Sequence, residues 1–137
     1  MLFVNIPGGG QSKFHLLYDE QMHVYWLLTN QFVDSMVNFH QMDPVERHGY
    51  DRSRLALYYS YNCFDWLFAG IVSAGKNLSQ SRSYASMAFD GEDLVILSRS
   101  GDEHAKNGHD TNLITFHRVH NFRALVDPSL SFLAREI

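Results

Sequence analysis

Tyr84-Ala85-Ser86-Met87-Ala88-Phe89-Asp90-Gly91-Glu92-Asp93-Leu94-Val95-Ile96-Leu97-Ser98-Arg99 is the stretch on which the fold turns. Two runs rich in apolar residues flank a Gly-Glu-Asp turn, the pattern of an antiparallel hairpin. The same pattern stands earlier in the chain. Lys13-Phe14-His15-Leu16-Leu17-Tyr18-Asp19 is followed by a polar turn and then by Val24-Tyr25-Trp26-Leu27-Leu28-Thr29-Asn30. Phe89-Asp90 falls where Tyr18-Asp19 fell, and Arg99 where Asn30 fell.

The segments downstream of the two hairpins also match. Gln31 to Asp51, with Pro44 and several charges, reads as a long loop; Ser100 to Thr111 is its counterpart. Leu55–Ser60, a tight turn Tyr61–Asp65 and Trp66–Val72 complete the first unit. Asn112–Arg118 and a short fourth strand Phe122–Val126, with Phe122 in the role of Trp66, complete the second. Met1–Pro7 reads as a further strand, ended by Pro7 and a Gly8-Gly9-Gly10 turn, and its abrupt start suggests a piece of something longer. The expectation is an all-β chain of antiparallel four-stranded β-propeller blades. About two blades, near residues 11–75 and 80–127, precede a tail at 128–137. An eight-stranded sandwich is the alternative. Two blades cannot close a ring, so missing blades or association of copies through open sheet edges is expected.

Composition bounds the function. The chain has 137 residues, 45% apolar and 19% charged, enough for one domain with a hydrophobic core. A net charge of −4 gives no general attraction to nucleic acid. No apolar run reaches the roughly 18 residues of a membrane helix. Cys63 stands alone, which excludes an internal disulfide and leaves the compartment open; it reads as a buried small hydrophobe. Gly8-Gly9-Gly10 lacks the strand-turn-helix context of a phosphate loop, and no cofactor is expected. His104, His109 and Asp110 share a loop, but their spacing matches no tight metal site. Trp26, Trp66, Tyr58 and Tyr59 alternate along strands and read as packing.

In a propeller the first strand of each blade lines a channel, and loops between second and third strands cover one rim. That arrangement gathers Lys13, His15, Asn30 and Asp34 from the first unit. From the second it gathers Arg82, Tyr84, Arg99, Asp102, Glu103, His104, His109 and Asp110, with Arg52 and Arg54 at the mouth of a third strand. Guanidinium groups and a phenol brought together there suit an acidic sugar: the fork of an arginine matches a carboxylate.

Two pieces resemble the sialidase-like (neuraminidase) propeller superfamily. Arg52-Ser53-Arg54-Leu55-Ala56-Leu57-Tyr58-Tyr59-Ser60, running through Asn62 and Asp65 to Trp66, looks like an arginine strand followed by a shortened aspartate-box turn that lacks its glycine. Tyr84-Ala85-Ser86-Met87 resembles the entry to a later blade. The resemblance implies a glycoside hydrolase with Tyr84 as nucleophile, a phenol being less repelled by the substrate carboxylate than a carboxylate nucleophile would be. It also implies Arg52 as the last member of an arginine triad that clamps the carboxylate; Arg54, Arg82, Arg99, His15, Asp34 and Asp110, gathered at the same rim, are expected as further sugar contacts. The acid/base aspartate, the other clamp arginines and the activating glutamate have no counterpart here, and Arg99 stands where the family has a glutamate. Alone the chain is expected to be catalytically incomplete. The competing reading is a non-catalytic carbohydrate- or protein-binding propeller; a furanosidase-like enzyme with three carboxylates is weaker, because carboxylates are sparse at the first-strand mouths.

Overall fold

The computed structural model describes residues 1, 3–8 and 13–127. Among these residues seven strands form two antiparallel sheets, each in chain order. The first holds β1 (His15–Asp19), β2 (Val24–Gln31), β3 (Arg54–Ser60) and β4 (Leu67–Ala74); the second holds β5 (Arg82–Asp90), β6 (Asp93–Ser100) and β7 (Leu113–Val119). The described residues are nearly all-β, with two 3-10 turns and one six-residue α-helix, and the sheets are open, blade-like meanders. The tail at 128–137, with Leu2 and residues 9–12 of the expected strand and glycine turn, lies outside the described residues.

Strand pairing explains the repeat in the sequence. Leu16 faces Leu27 and Leu27 faces Tyr58, while Met87 faces Ile96 and Ile96 faces His117. The first three strands of the two meanders are thus paired in the same way, apart from the β5 irregularity between Ser83 and Ser86, and β4 has no counterpart in the second sheet. Side chains alternate across a strand, so every second residue reaches the same face. Val24, Trp26, Leu28, Leu55, Leu57 and Tyr59 of the first sheet meet Ala85, Met87, Leu94 and Ile96 of the second in a single buried cluster. The sheets stack face to face.

The expected fourth strand of the second unit is not a strand. Phe122–Leu125 is a 3-10 helix, entered through Asn121 in the left-handed region at φ 47°. The Asn121 amide donates to the Asp93 carboxylate at 3.0 Å, and the Phe122 amide to the Glu92 carbonyl at 3.3 Å. The chain is thereby folded back across the β5–β6 hairpin, and Phe122 enters the gap between the sheets instead of extending an edge. The N-terminal segment expected as a strand is not one either: Met1 and Phe3–Ile6 carry no strand. The long first loop contains a 3-10 turn, Phe39–Gln41, and one α-helix, α1 (Pro44–Gly49).

The turn after β3 is wired by its own side chains. Ser60 Oγ accepts from the amides of Asn62 and Cys63, and Asn62 Oδ1 accepts from those of Phe64 and Asp65. Asn62 Nδ2 donates to the Asp65 carboxylate at 2.8 Å. Cys63 holds φ 63° to allow this, and is half-buried rather than fully buried. A β-carbon in the left-handed region costs about 1–2 kcal/mol, partly offset by the extra freedom of glycine in the unfolded chain. Cys63→Gly is therefore expected to stabilise the protein by about 0.5–1 kcal/mol, read as a higher urea midpoint at constant slope. A lower midpoint would mean that packing of the thiol outweighs the backbone strain.

Candidate functional site

Three connecting segments, 32–53, 75–81 and 101–112, meet at the end of the sheets opposite the β1–β2 and β5–β6 hairpins. Glycine makes the approach possible. A β-carbon on Gly49 would lie 1.3 Å from the Leu78 carbonyl oxygen, and one on Gly108 2.3 Å from the Gly49 Cα. Asn30, at the end of β2 and buried, is the hub: its Nδ2 donates to the carbonyls of Arg52 at 3.3 Å, Arg54 at 2.9 Å and Arg82. The Arg82 amide donates to the Arg52 carbonyl at 2.7 Å. The backbones of the predicted arginine residues are thus brought together.

Their guanidinium groups are not. Arg52 is buried, donating to the His48 carbonyl at 2.8 Å and to Asp51 at 3.1 Å, so it fastens α1 to the sheet. Arg82 turns toward the first sheet and donates to Ser73 Oγ at 3.1 Å, with further bonds to the carbonyls of Ser81 and Gly101. Burial lowers its pKa from the ordinary arginine value. Arg99 turns to the opposite face, holding Thr111 Oγ1 at 2.9 Å and the His109 carbonyl at 2.7 Å. Arg54 sits at the mouth of β3, its charge acting on the Tyr50 phenol. The guanidiniums of Arg52, Arg82 and Arg99 thus pin three different segments of their own chain and do not converge.

Tyr84 lies at the β5 irregularity between Ser83 and Ser86, with φ 49° and a partly exposed ring. Its neighbour is Arg99, whose guanidinium carbon lies 5.6 Å from the ring centroid. His15 is drawn into the structure: its Nδ1 accepts from the Met87 amide at 2.8 Å, joining the first strands of the two sheets. Burial and then the charge of Lys13 lower its pKa below 6.5, and burial followed by Arg82 does the same to His117. The sign follows from linkage: a depressed folded pKa gives stability that is complete above the unfolded value and is lost as pH falls through the folded value. Thermal melts should drop as pH is lowered from about 7.5 to about 5. His15→Gln, which cannot be protonated, should flatten that drop; an unchanged slope would remove His15 from the pH response.

Asp110 sits apart on the exposed 101–112 segment. A hydrogen bond from His109, followed by the Lys106 charge, holds its carboxyl below the ordinary value. The His109 ring also faces His48, with 6.3 Å between centroids. Among the described residues no three His, Cys, Asp or Glu are grouped to hold a metal ion.

Asp34 enters a concave site that strand periodicity does not assemble. A hollow of about 350 Å³ is lined by Phe32, Asp34, Ser35, Val37, Phe39, Tyr50 and Asp51. Tyr50 is its floor, with its ring 6.1 Å from that of Phe32 and 6.4 Å from that of Phe39. Burial raises the Tyr50 pKa, and the nearby Asp34 charge adds to it. Asp34 Oδ1 accepts from the Met36 amide at 2.9 Å. The signal present in the sequence is three aromatic residues, Phe32, Phe39 and Tyr50, in a segment with no strand period to bury them. A second hollow of about 310 Å³, between α1 and 77–79, is lined by Asp43, Val45, Glu46, Asn77, Leu78 and Ser79 and lacks an aromatic platform. No family model, curated protein or solved structure matches the chain.

Proposed function

We propose that this chain is a non-catalytic carbohydrate-binding module of blade-like β-sheets, and that its ligand enters the hollow over Tyr50. The observation that carries this reading is the pairing of a ring platform, Phe32, Phe39 and Tyr50, with the carboxylate of Asp34 in a cavity of about 350 Å³. That size falls in the range of small-molecule sites, which combine apolar walls with a few placed polar groups. Aromatic faces pack on the C–H faces of a sugar, and a carboxylate accepts from its hydroxyls. Asp51 is paired with Arg52 and the Arg47 guanidinium lies 5.6 Å from the Phe39 ring centroid, so the lining carboxylate left to meet a ligand is that of Asp34, which favours a neutral or amino sugar over an acidic one.

Binding is favoured over turnover by the engagement of Arg52, Arg82 and Arg99 with carbonyls, hydroxyls and Asp51 of their own chain. A substrate carboxylate would have to break those bonds. A tyrosine nucleophile also needs an adjacent base, whereas the group over the Tyr84 ring is the cation of Arg99. The test is a glycan array followed by calorimetry on the best neutral or amino-sugar ligand. Asp34→Ala and Phe39→Ala are each expected to weaken binding by about tenfold or more, the equivalent of about 1.4 kcal/mol. Absence of any glycan ligand, or affinity indifferent to both substitutions, overturns the proposal. Hydrolysis of a fluorogenic sialoside that is lost in Tyr84→Phe would replace it with the hydrolase reading.

A further inference from the structure

The like pairing of the first three strands in the two sheets allows their residues to be compared with their counterparts, and the comparison exposes an unused surface. The face of the first sheet that packs on the second carries Leu28, Leu55 and Leu57, each 1% exposed. Pairing places Leu97, Ile114 and Phe116 at the corresponding positions of the second sheet. These are 53%, 70% and 59% exposed. The apolar pattern that buries the first sheet is thus kept in the second, where nothing described covers it. Between β5 and β7 this face is dished into a hollow of about 220 Å³ over Ser86 and Ala88, walled by Leu97 and Phe116.

The outer face of the first sheet is complementary. Met87, Leu94 and Ile96, which are buried against the first sheet, correspond to Leu16, Tyr25 and Leu27. Phe89, which stacks on Phe122, corresponds to Tyr18. Leu16 and Tyr18 project from the edge strand β1, and Phe68 and Ile71 from β4; all four count among the exposed large hydrophobic residues. The rim of the first sheet's outer face thus presents Leu16 and Tyr18, counterparts of residues the second sheet uses in the contact already made, around a centre where Leu27 is itself buried with Ala56 and Tyr58 against Trp66.

We infer that a second copy of this chain seats its first sheet on the open face of the second sheet, head to tail, repeating the internal stacking. The same contact continues from copy to copy, because the two faces differ and each chain has one of each. Contacts of this heterologous kind give rings where the rotation closes and filaments where it does not. The inference concerns sheet faces rather than the loop end, so it stands apart from the sugar site.

The test is light scattering on the wild-type chain across concentration, with one charge placed on each face. Phe116→Glu blocks one face and Leu16→Glu the other; both side chains are exposed enough for the variants to fold, which thermal melts verify. Wild type is expected above monomer mass, with both single variants driven to monomer. An equimolar mixture of the variants should recover a two-chain species, since each retains the face the other has lost. Should either variant melt far below wild type, Ile114→Lys and Tyr18→Lys repeat the experiment on the same two faces. A wild-type monomer at about 100 µM overturns the inference, at a concentration where even micromolar contacts form. So does assembly blocked by one face alone, the mark of a back-to-back pair, and so does a mixture that stays monomeric.

Discussion

Arg123→Ala is expected to destabilise the fold by about 3–5 kcal/mol, because it strands a buried carboxylate. Asp19 ends β1 with its side chain 2% exposed. Its oxygens accept from Arg123 Nε at 2.8 Å and Nη2 at 3.3 Å, and from the Trp26 indole at 3.4 Å and the Gln21 amide at 3.1 Å. Arg123 lies 104 positions further on, so the pair ties the first hairpin to the last described segment. Its guanidinium also lies 4.5 Å from the Phe122 ring centroid. Asp19→Ala should cost less, since the arginine it releases keeps the Gly91 carbonyl at 3.1 Å and Glu92 at 3.5 Å. The double variant should fall short of the sum of the singles, as expected for residues in contact. Urea unfolding of the three variants measures all of this. A loss below about 1 kcal/mol for Arg123→Ala would put the pair in the class of solvent-screened surface bridges.

What the sequence discloses and what it hides divide along one line. Periodicity of two, with Gly91 at a hairpin turn, is local information, and it locates all seven strands and their antiparallel order. Gly91 takes φ 61° at the first central position of its two-residue turn, a conformation glycine adopts without cost. Phe122-Arg123-Ala124-Leu125-Val126 is a short, mostly apolar run of the length of a strand, and the left-handed Asn121 diverts it. An asparagine is permitted there without being required. α1 is legible in principle: Asp43 caps it, accepting from the Val45 amide at 2.8 Å, and Pro44 opens it. The flanking charges make the segment look irregular.

The site is less legible for a related reason. Strand mouths tell which backbones converge, and Asn30 does gather Arg52, Arg54 and Arg82. The direction of each guanidinium depends on residues elsewhere in the chain, such as Ser73 and Gly101 for Arg82. Asp34 stands out as a polar residue in a loop, but its cavity needs Tyr50 and Phe39 folded over it by α1 and the 3-10 turn before it. Composition reports that aromatics are present; only the chain path decides whether they bury themselves in a sheet or line a hollow.

Phe122→Ala is the companion prediction, with an expected loss of about 3–5 kcal/mol. Phe122 is fully buried although it belongs to a single 3-10 turn beyond the last strand. Its ring meets Trp26 edge-on at 5.1 Å between centroids and stacks on Phe89 at 5.4 Å. Trp26 comes from the first sheet and Phe89 from the second, so one side chain closes the hairpin end of the core. Removing it leaves a cavity walled by rigid strands, which cannot collapse as a loop would, and cavities that cannot collapse are the costly ones. The comparison that decides the role is Leu57→Ala, in mid-strand on the same core face and expected to cost about 2–5 kcal/mol. If Phe122→Ala matches it, the turn after β7 is an integral part of the core and does for the second sheet what a fourth strand would have done. A loss of a few tenths of a kcal/mol would mean that the segment frays in solution, as chain ends without tertiary anchoring do. Arg123→Ala would then have to be small as well, because both side chains hang on the same turn; the two predictions stand or fall together.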